Sequence, residues 1–352
     1  MSELSQPKRD QFKHELTSLY YRFRADRDQR EVNENDDLAE FIAMIQKRLS
    51  TSLDQSVPES RNLLIGKHTE LMFESVLVSI GSVRSIHQLD AGTSWYSSPT
   101  QTPDYLIQLE DDSWILVEVK NFFSPEVPDA DFGIRSKTFE MLREFSRQIG
   151  FDLYFAIYYA HFNAWTLVPA AVFESFGKRT SVSFLNAMKQ NHMSLLGDMM
   201  IGVATPIHLT LRFDHLSEPL VDKPAEIELR FAGYEILCRG VLVEDMTEQR
   251  IAQELLLYGS LIEDDHVEMN GGRVESQTIT YGSDLAPQGF EIAGSLSQLA
   301  SNRYRFATQS EGSGIEPKII DTVVGVWGRL IPEDYASDVF PIWRFIQKPN
   351  AD

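Results

Sequence analysis

The segment Thr102–Asn121 places charged side chains inside a run of residues that is otherwise typical of a buried β-strand. Trp114–Val117 and Val119 are apolar, so both faces of this strand are expected to be covered, yet Glu118 and Lys120 interrupt the run. Burial of a charge is costly unless the charge is paired or bound to a metal ion. The strand is therefore expected to lie in a core and to carry a functional site.

The elements around this strand predict an α/β domain. The pair Pro103-Asp104 opens an earlier strand, and the intervening polar residues predict a tight hairpin between the two strands. Spacing of apolar residues predicts the order helix, three strands, helix, two strands: Glu59–Ile80 (ended by Gly81), Val83–Leu89, Asp104–Glu110, Trp114–Phe122, Ser136–Gln148, Leu153–Tyr159 and Ala164–Val168. Pro125–Gly133 is predicted to be a loop.

The rest of the chain divides into two further parts. The pattern predicts a helical N-terminal segment over residues 1–58, which includes a helix over Leu38–Leu49. It predicts the α/β domain over residues 59–200 and a β-rich α+β domain over residues 201–352. Residues 170–200 are expected to be mostly helical. Beyond them the pattern predicts strands at Ile207–Phe213, Ala225–Ala232 and Glu235–Val243, a helix at Met246–Tyr258 with Asp245 as its N-cap, and a hairpin at Val267–Val274.

Composition limits the function classes. The chain has 352 residues and a net charge of −20, which disfavours indiscriminate binding to duplex DNA, because contacts to phosphates drive such binding. A local basic groove on an acidic body remains compatible with this balance. The single cysteine, Cys238, excludes an internal disulfide. The sequence has no run of about 18 apolar residues, so a soluble cytoplasmic protein without a membrane span is expected.

The charged residues suit phosphodiester hydrolysis. This reaction needs an activated water and positive charge at the phosphate, and Mg²⁺ supplies both when a few carboxylates hold it. Asp104 and Glu118 lie on neighbouring predicted strands and can share one ion. Glu118 and Lys120 are two residues apart and point to one face of the strand, so Lys120 is a candidate to orient or deprotonate the attacking water and to steady the phosphate.

These residues resemble a known family. Pro103-Asp104 followed by Glu118-Val119-Lys120 is similar to the motif of the PD-(D/E)xK, or restriction-endonuclease-like, nuclease superfamily. Gly66–Glu70 resembles the helix of its Mrr-type and archaeal Holliday-junction-resolvase-like branches. Over about residues 60–170 the resemblance implies an αβββαβ core with a mixed central sheet flanked by helices. It also implies a Mg²⁺-dependent DNA endonuclease in which Mn²⁺ substitutes, in a bacterial restriction or anti-phage setting.

The resemblance also implies a set of metal ligands, namely Asp104, Glu118, the backbone carbonyl of Val119 and a helix glutamate. Helical geometry favours Glu70 over Glu74 as that glutamate, because Glu70 projects about 20° from the apolar Leu77 and Glu74 about 60°. Candidates for phosphate contacts are Asn121, Ser124, Arg135, Lys137, Arg143 and Arg147. Arg143 and Arg147 can equally form helix ion pairs with Glu140 and Glu144.

A second interpretation stays open. The charged pair can be an ordinary solvent-facing pair, and the chain can be a non-catalytic interaction or regulatory protein on a nuclease-like scaffold. In either case residues 201–352 are acidic and are a candidate surface for a protein partner. Cleavage of both DNA strands by one site per chain would favour a homodimer.

Overall fold

The described part of the chain is a mixed α/β protein. The structure is a computed structural model. It describes residues 34–52, 58–89, 98–214, 230–270, 273–283, 287–308 and 322–350, together with Leu16, Leu19, Tyr20 and Phe23. The six α-helices of these residues are α1 (Glu34–Ser52), α2 (Pro58–Ile80), α3 (Ser136–Ile149), α4 (Phe184–Lys189), α5 (Met246–Tyr258) and α6 (Leu296–Thr308). The strands are β1 (Ser85–Gln88), β2 (Tyr105–Gln108), β3 (Trp114–Phe122), β4 (Phe132–Arg135), β5 (Asp152–Tyr159), β6 (Ala164–Pro169), β7 (Glu174–Phe176), β8 (Arg179–Val182), β9 (Met200–Val203), β10 (Ile207–Asp214), β11 (Arg230–Cys238), β12 (Val241–Leu242), β13 (Glu263–Asn270), β14 (Arg273–Tyr281), β15 (Glu291–Ser295) and β16 (Ile342–Phe345).

A five-stranded sheet in the order β1-β2-β3-β5-β6 contains the predicted hairpin. β3 pairs with β2 antiparallel and with β5 parallel, so β3 lies at the centre of a mixed sheet. Alternate residues of β3 enter different cores, as the pleat of a strand requires. Val117 packs in the core beside α2, whereas Leu116 packs beside α3. The predicted helix, hairpin and strands of this region are confirmed.

Helix α3 connects the parallel strands β3 and β5. Its buried residues Phe139, Leu142 and Phe145 recur every third position and therefore share the face that covers the sheet. Gly150 ends the helix with a left-handed backbone at φ 81°, and its N–H donates to the carbonyl of Ser146. Because β3 and β5 run in the same direction, the start of α3 lies at the end of the sheet where β3 ends.

A small sheet in the order β4-β8-β7 corrects two predictions. Residues 170–200 are not mostly helical, because they hold β7, β8, the short helix α4 and two short 3-10 helices, Ala170–Val172 and Met193–Leu196. The predicted loop Pro125–Gly133 runs into β4. The apolar residues Phe132 and Val182 pair across β4 and β8 and pack into the core beside α3, so tertiary packing decides the conformation here.

The C-terminal part is rich in strands, as predicted. One sheet has the order β12-β11-β10-β14-β13 and another the order β15-β9-β16. The predicted hairpin at Val267–Val274 is part of the β13–β14 pair, whose turn lies outside the described residues. The predicted strand Ala225–Ala232 lies partly outside them too, and its last residues join the next predicted strand to form β11. Asp245 caps α5, since its side chain accepts hydrogen bonds from the N–H groups of Thr247 and Glu248 at 2.8 and 3.0 Å.

Helix α2 belongs to two cores. Phe73 and Leu77 pack in the core of the five-stranded sheet, whereas Val76 and Ile80 pack among residues of the C-terminal part. The last turn of α2 also receives backbone hydrogen bonds from that part: Gly325 N donates to Val78 O at 2.9 Å and Trp327 N donates to Ser79 O at 2.8 Å. These bonds satisfy carbonyls that the end of a helix otherwise leaves unpaired.

The N-terminal segment is described over α1 and four further helical residues. The predicted helix Leu38–Leu49 is confirmed and begins earlier, at Glu34. Phe41 is buried beneath Tyr20 and Phe23, whose ring centroids lie 5.2 and 5.4 Å from that of Phe41. None of the helices in the described ranges combines the length and the hydropathy that crossing a bilayer requires.

Candidate active site

The pairing of β2 with β3 brings two acidic residues together. Tyr105 lies opposite Val117 in this antiparallel pair, so the next position places Asp104 opposite Glu118. Residues that are opposite in an antiparallel pair share a face and have Cβ atoms about 5 Å apart. The predicted partners Asp104 and Glu118 therefore meet at the point where β2 begins.

The carboxylate of Asp104 takes part in the backbone pairing of β3. Its Oδ2 accepts a hydrogen bond from the backbone N–H of Val119 at 2.7 Å. Asp104 directly precedes β2, so its side chain bonds an N–H of β3 that lies beyond the start of β2. Burial raises the pKa of Asp104, whereas the ammonium of Lys120 and the Val119 N–H oppose the rise. The Asp104 side chain is thus held by one oxygen against β3.

Glu118 is the buried acid of the site, with 3% of its side chain exposed. Its Oε1 accepts a hydrogen bond from Lys120 Nζ at 2.5 Å. Its Oε2 is buried and has no hydrogen-bond partner among the described residues. Burial, with a smaller contribution from the nearby Asp104, raises the pKa of Glu118 to about 7 against the attraction of Lys120.

Lys120 connects two of the oxygens expected to bind a metal ion. Besides Glu118, its Nζ donates to the backbone carbonyl of Val119 at 3.1 Å. Burial alone would lower the pKa of Lys120, but the carboxylates of Glu118 and Asp104 outweigh burial and raise it. Lys120 is therefore an ammonium at neutral pH, which suits contact with a phosphate better than removal of a proton from water.

Both helix glutamates lie near the site, in different environments. Glu70 forms an ion pair with Lys67 at 2.9 Å, and its charge contributes to the raised pKa values of Asp104 and Glu118. Glu74 accepts a hydrogen bond from the hydroxyl of Tyr105 at 3.4 Å, and the same hydroxyl donates to the carbonyl of Glu70 at 3.1 Å.

Tyr105 is a residue of this site that sequence reasoning missed. It follows Asp104 directly, and its ring is fully buried in the core beside α2. Burial and the neighbouring carboxylates raise the pKa of Tyr105, so its hydroxyl remains a donor. A tyrosine next to a candidate ligand on a buried strand is the signal from which its role could have been inferred.

The oxygens of the site fit a hard divalent cation. Mg²⁺ prefers carboxylate, carbonyl and water oxygens, and the unpartnered Oε2 of Glu118 is an oxygen that a cation would satisfy. Within the described ranges, no three His, Cys, Asp or Glu side chains are positioned to hold a metal ion together. Asp104 and Glu118 therefore need the Val119 carbonyl, water or a rearranged Glu70 to complete a ligand set.

The candidate phosphate-binding residues fall into two groups. Arg143 and Arg147 form helix ion pairs with Glu140 and Glu144 at 3.4 and 2.6 Å. They line a cavity of about 840 Å³ that also includes Asp152, the first residue of β5. The cavity extends along α3 from Lys137 in its first turn to Arg147 near its end, and Asp152 pairs with Ile115, five residues before Lys120.

The remaining candidates lie closer to the end of β3. Asn121 is half-buried in β3 and Ser124 is half-buried just beyond it. The hydroxyl of Ser124 accepts a hydrogen bond from the N–H of Glu126 at 3.2 Å. Arg135 and Lys137 are exposed at the junction of β4 and α3.

Comparisons with known proteins return few matches. No family model and no curated protein matches the chain. Among solved structures, a Holliday junction resolvase, Hjc, from the archaeal hyperthermophile Archaeoglobus fulgidus matches with 18% identity and a TM-score of 0.24. The match covers 31% of this chain and 86% of that chain. A TM-score of this size does not define a shared fold. The function of the site must therefore be inferred from the geometry of the site itself.

Proposed function

We propose that this chain is a divalent-metal-dependent nuclease that hydrolyses phosphodiester bonds of DNA. The observation that carries the proposal is the buried Glu118, which lies opposite Asp104 and is bonded to Lys120 through one oxygen, while its other oxygen has no partner in the described part of the chain. A buried, unsatisfied carboxylate oxygen destabilises a fold, and such costs concentrate at functional sites.

Each residue has a separate role in this proposal. Asp104, Glu118 and the Val119 carbonyl, with Glu70, would hold Mg²⁺, which supplies an activated water and positive charge at the phosphate when it is bound. Lys120 now binds Glu118 and the Val119 carbonyl, so it would release these oxygens to a metal ion. Its ammonium would then be available to a phosphate oxygen. Tyr105 positions α2 by its bond to the Glu70 carbonyl.

Two observations favour the second interpretation, a non-catalytic protein that binds a partner. The described residues lack a ready group of three side-chain ligands, and the Lys120 ion pair already satisfies one Glu118 oxygen. In this interpretation the Glu118–Lys120 pair is structural, and the acidic C-terminal part binds a protein. The two interpretations differ in whether divalent ions bind at Glu118.

The test combines cleavage with metal binding. Purified full-length chain is incubated with duplex, single-stranded and branched DNA and with RNA, with Mg²⁺ or Mn²⁺ and with chelator. Calorimetric titration with Mn²⁺ is run on the wild type and on Glu118→Gln. We expect metal-dependent cleavage of DNA that Asp104→Asn, Glu118→Gln and Lys120→Ala each reduce at least about 100-fold, and weaker Mn²⁺ binding by Glu118→Gln.

Glu110→Gln is the matched control, because Glu110 is an exposed acid at the other end of the same hairpin. It is expected to leave cleavage and Mn²⁺ binding unchanged. If folded protein cleaves none of the substrates and its Mn²⁺ binding does not depend on Glu118, the nuclease interpretation is refuted and the binding-protein interpretation takes its place.

A further inference from the structure

The small sheet carries a row of exposed side chains across its three strands. Arg135 of β4 lies opposite Arg179 of β8, and Arg179 lies opposite Phe176 of β7. Opposite residues of antiparallel strands share a face, so these three side chains point to the same side of the sheet. All three are exposed, Phe176 by 68%. The other face carries Phe132 and Val182, which are buried in the core.

Neither arginine has a counter-charge among the described residues. Like charges at opposite positions of an antiparallel pair repel and destabilise the sheet. Among the described residues no carboxylate forms an ion pair with Arg135 or Arg179, although Arg84, Arg143, Arg147 and Arg212 each have one. Glu174 is the acid nearest along β7, in the next row opposite Ser181, and it forms no ion pair with either arginine.

The backbone accommodates this arrangement. A Cβ at Gly133 would lie 2.3 Å from Arg179 Nε, so the Arg179 side chain lies directly over Gly133. Gly133 is two residues from Arg135 and therefore lies on the same face of β4. Two further exposed cations adjoin the row: Lys178 in the turn between β7 and β8, and Lys137 in the first turn of α3. They are connected through Ser136, whose N–H donates to the Lys178 carbonyl at 2.9 Å.

The row also lies at the end of the main sheet that holds Lys120. Phe122, the last residue of β3, contacts Phe132, the first residue of β4, with ring centroids 5.8 Å apart. Lys120 is two residues before Phe122. The row therefore begins where the strand with the candidate catalytic lysine ends, whereas Arg147 lies at the far end of α3.

From this arrangement we infer that the row Arg135–Arg179–Phe176 binds a nucleic-acid strand with unpaired bases. The two guanidinium groups bind successive phosphates, and the exposed ring of Phe176 stacks on a base. Guanidinium groups suit phosphates, and aromatic rings bind bases only where the bases are free of a duplex stack. This inference rests on the proposed nuclease function and specifies its substrate: DNA with a single-stranded segment at this face.

The test measures binding separately from cleavage. Fluorescence anisotropy of a labelled single-stranded DNA oligonucleotide, and of the same oligonucleotide in a duplex, is followed with full-length chain in chelator over a range of salt concentrations. The double variant Arg135→Gln/Arg179→Gln should bind the single strand at least about 10-fold more weakly, with a salt slope smaller by about 1.4, since each phosphate contact contributes about 0.7. Phe176→Ala should weaken binding about 5- to 150-fold without changing the salt slope.

Matched controls use the same residue types elsewhere. Arg212→Gln removes an exposed arginine that is paired with Glu235, and Phe306→Ala removes a ring that is 77% exposed on α6. Both should bind as the wild type does, and circular dichroism should show that every variant is folded.

Three outcomes would overturn the inference: unchanged affinity of the double arginine variant, unchanged single-strand affinity of Phe176→Ala, or wild-type binding as tight to the duplex as to the single strand. Row-dependent binding by a chain that does not cleave would overturn only the proposed nuclease. Cleavage that the row variants do not alter would overturn only this inference.

Discussion

The substitution Glu118→Gln is expected to stabilise the metal-free protein at alkaline pH. Glutamine keeps the shape of the side chain and removes its ability to ionise. The pKa of Glu118 is raised from its ordinary value of 4.5 to about 7, which corresponds to about 3 kcal/mol at about 1.4 kcal/mol per pKa unit. The folded wild type bears this cost only when Glu118 is ionised.

The sign follows from proton binding. Between pH 4.5 and 7 the unfolded chain releases the Glu118 proton while the folded chain retains it. Stability of the wild type is therefore lost as pH rises through this range, and the variant does not lose it. The difference in unfolding free energy, variant minus wild type, should increase by about 2–3 kcal/mol between about pH 5 and pH 8.

Urea unfolding in chelator, followed by circular dichroism at both pH values, measures this difference. Glu110→Gln is the control and should change the unfolding free energy by less than about 0.5 kcal/mol at either pH. Addition of Mg²⁺ should stabilise the wild type and not Glu118→Gln, because only a site that binds the ion gains free energy from it. A difference that stays constant with pH, or a variant that is less stable than the wild type at pH 8, would refute the reasoning.

Two predictions concern the contacts that join the parts of the fold. Ser301→Ala should cost about 1–3 kcal/mol, because it leaves the buried Trp165 Nε1 without the hydroxyl to which it donates at 2.8 Å; an unchanged urea midpoint would contradict this. Gly328→Ala should cost about 1–3 kcal/mol, because its Cβ would lie 2.1 Å from the carbonyl oxygen of Ile80. Gly233→Ala, with open space at the added Cβ, is the control, and equal melting temperatures of the two variants would show that the Gly328 contact can relax.

The main sheet and its helices could be predicted from the sequence because their signals are local. The apolar residues of α3 carry the helical period, β2 and β3 are short apolar runs joined by polar turn residues, and Gly81 and Gly150 mark helix ends. The opposition of Asp104 and Glu118 followed from a hairpin whose turn sets the register.

The small sheet could not be predicted in the same way. β4, β7 and β8 are three or four residues long, and β4 pairs with a strand more than forty residues away in the chain. Pairing over such a distance leaves no local period, and Phe132 and Val182 form strands because a core lies beneath them. The row of Arg135, Arg179 and Phe176 was hidden for the same reason, since the register alone brings these residues side by side.

Because helix α2 packs in two cores, it limits where this chain can be truncated or joined to part of another protein. A truncated chain that ends near residue 200 would lose the N–H groups that bond the carbonyls of Val78 and Ser79, and it would expose Val76 and Ile80 to water. The N-terminal and C-terminal parts should therefore unfold in one cooperative transition rather than in two. A chimera that exchanges residues 201–352 for those of another protein would need to exchange the last two turns of α2 as well.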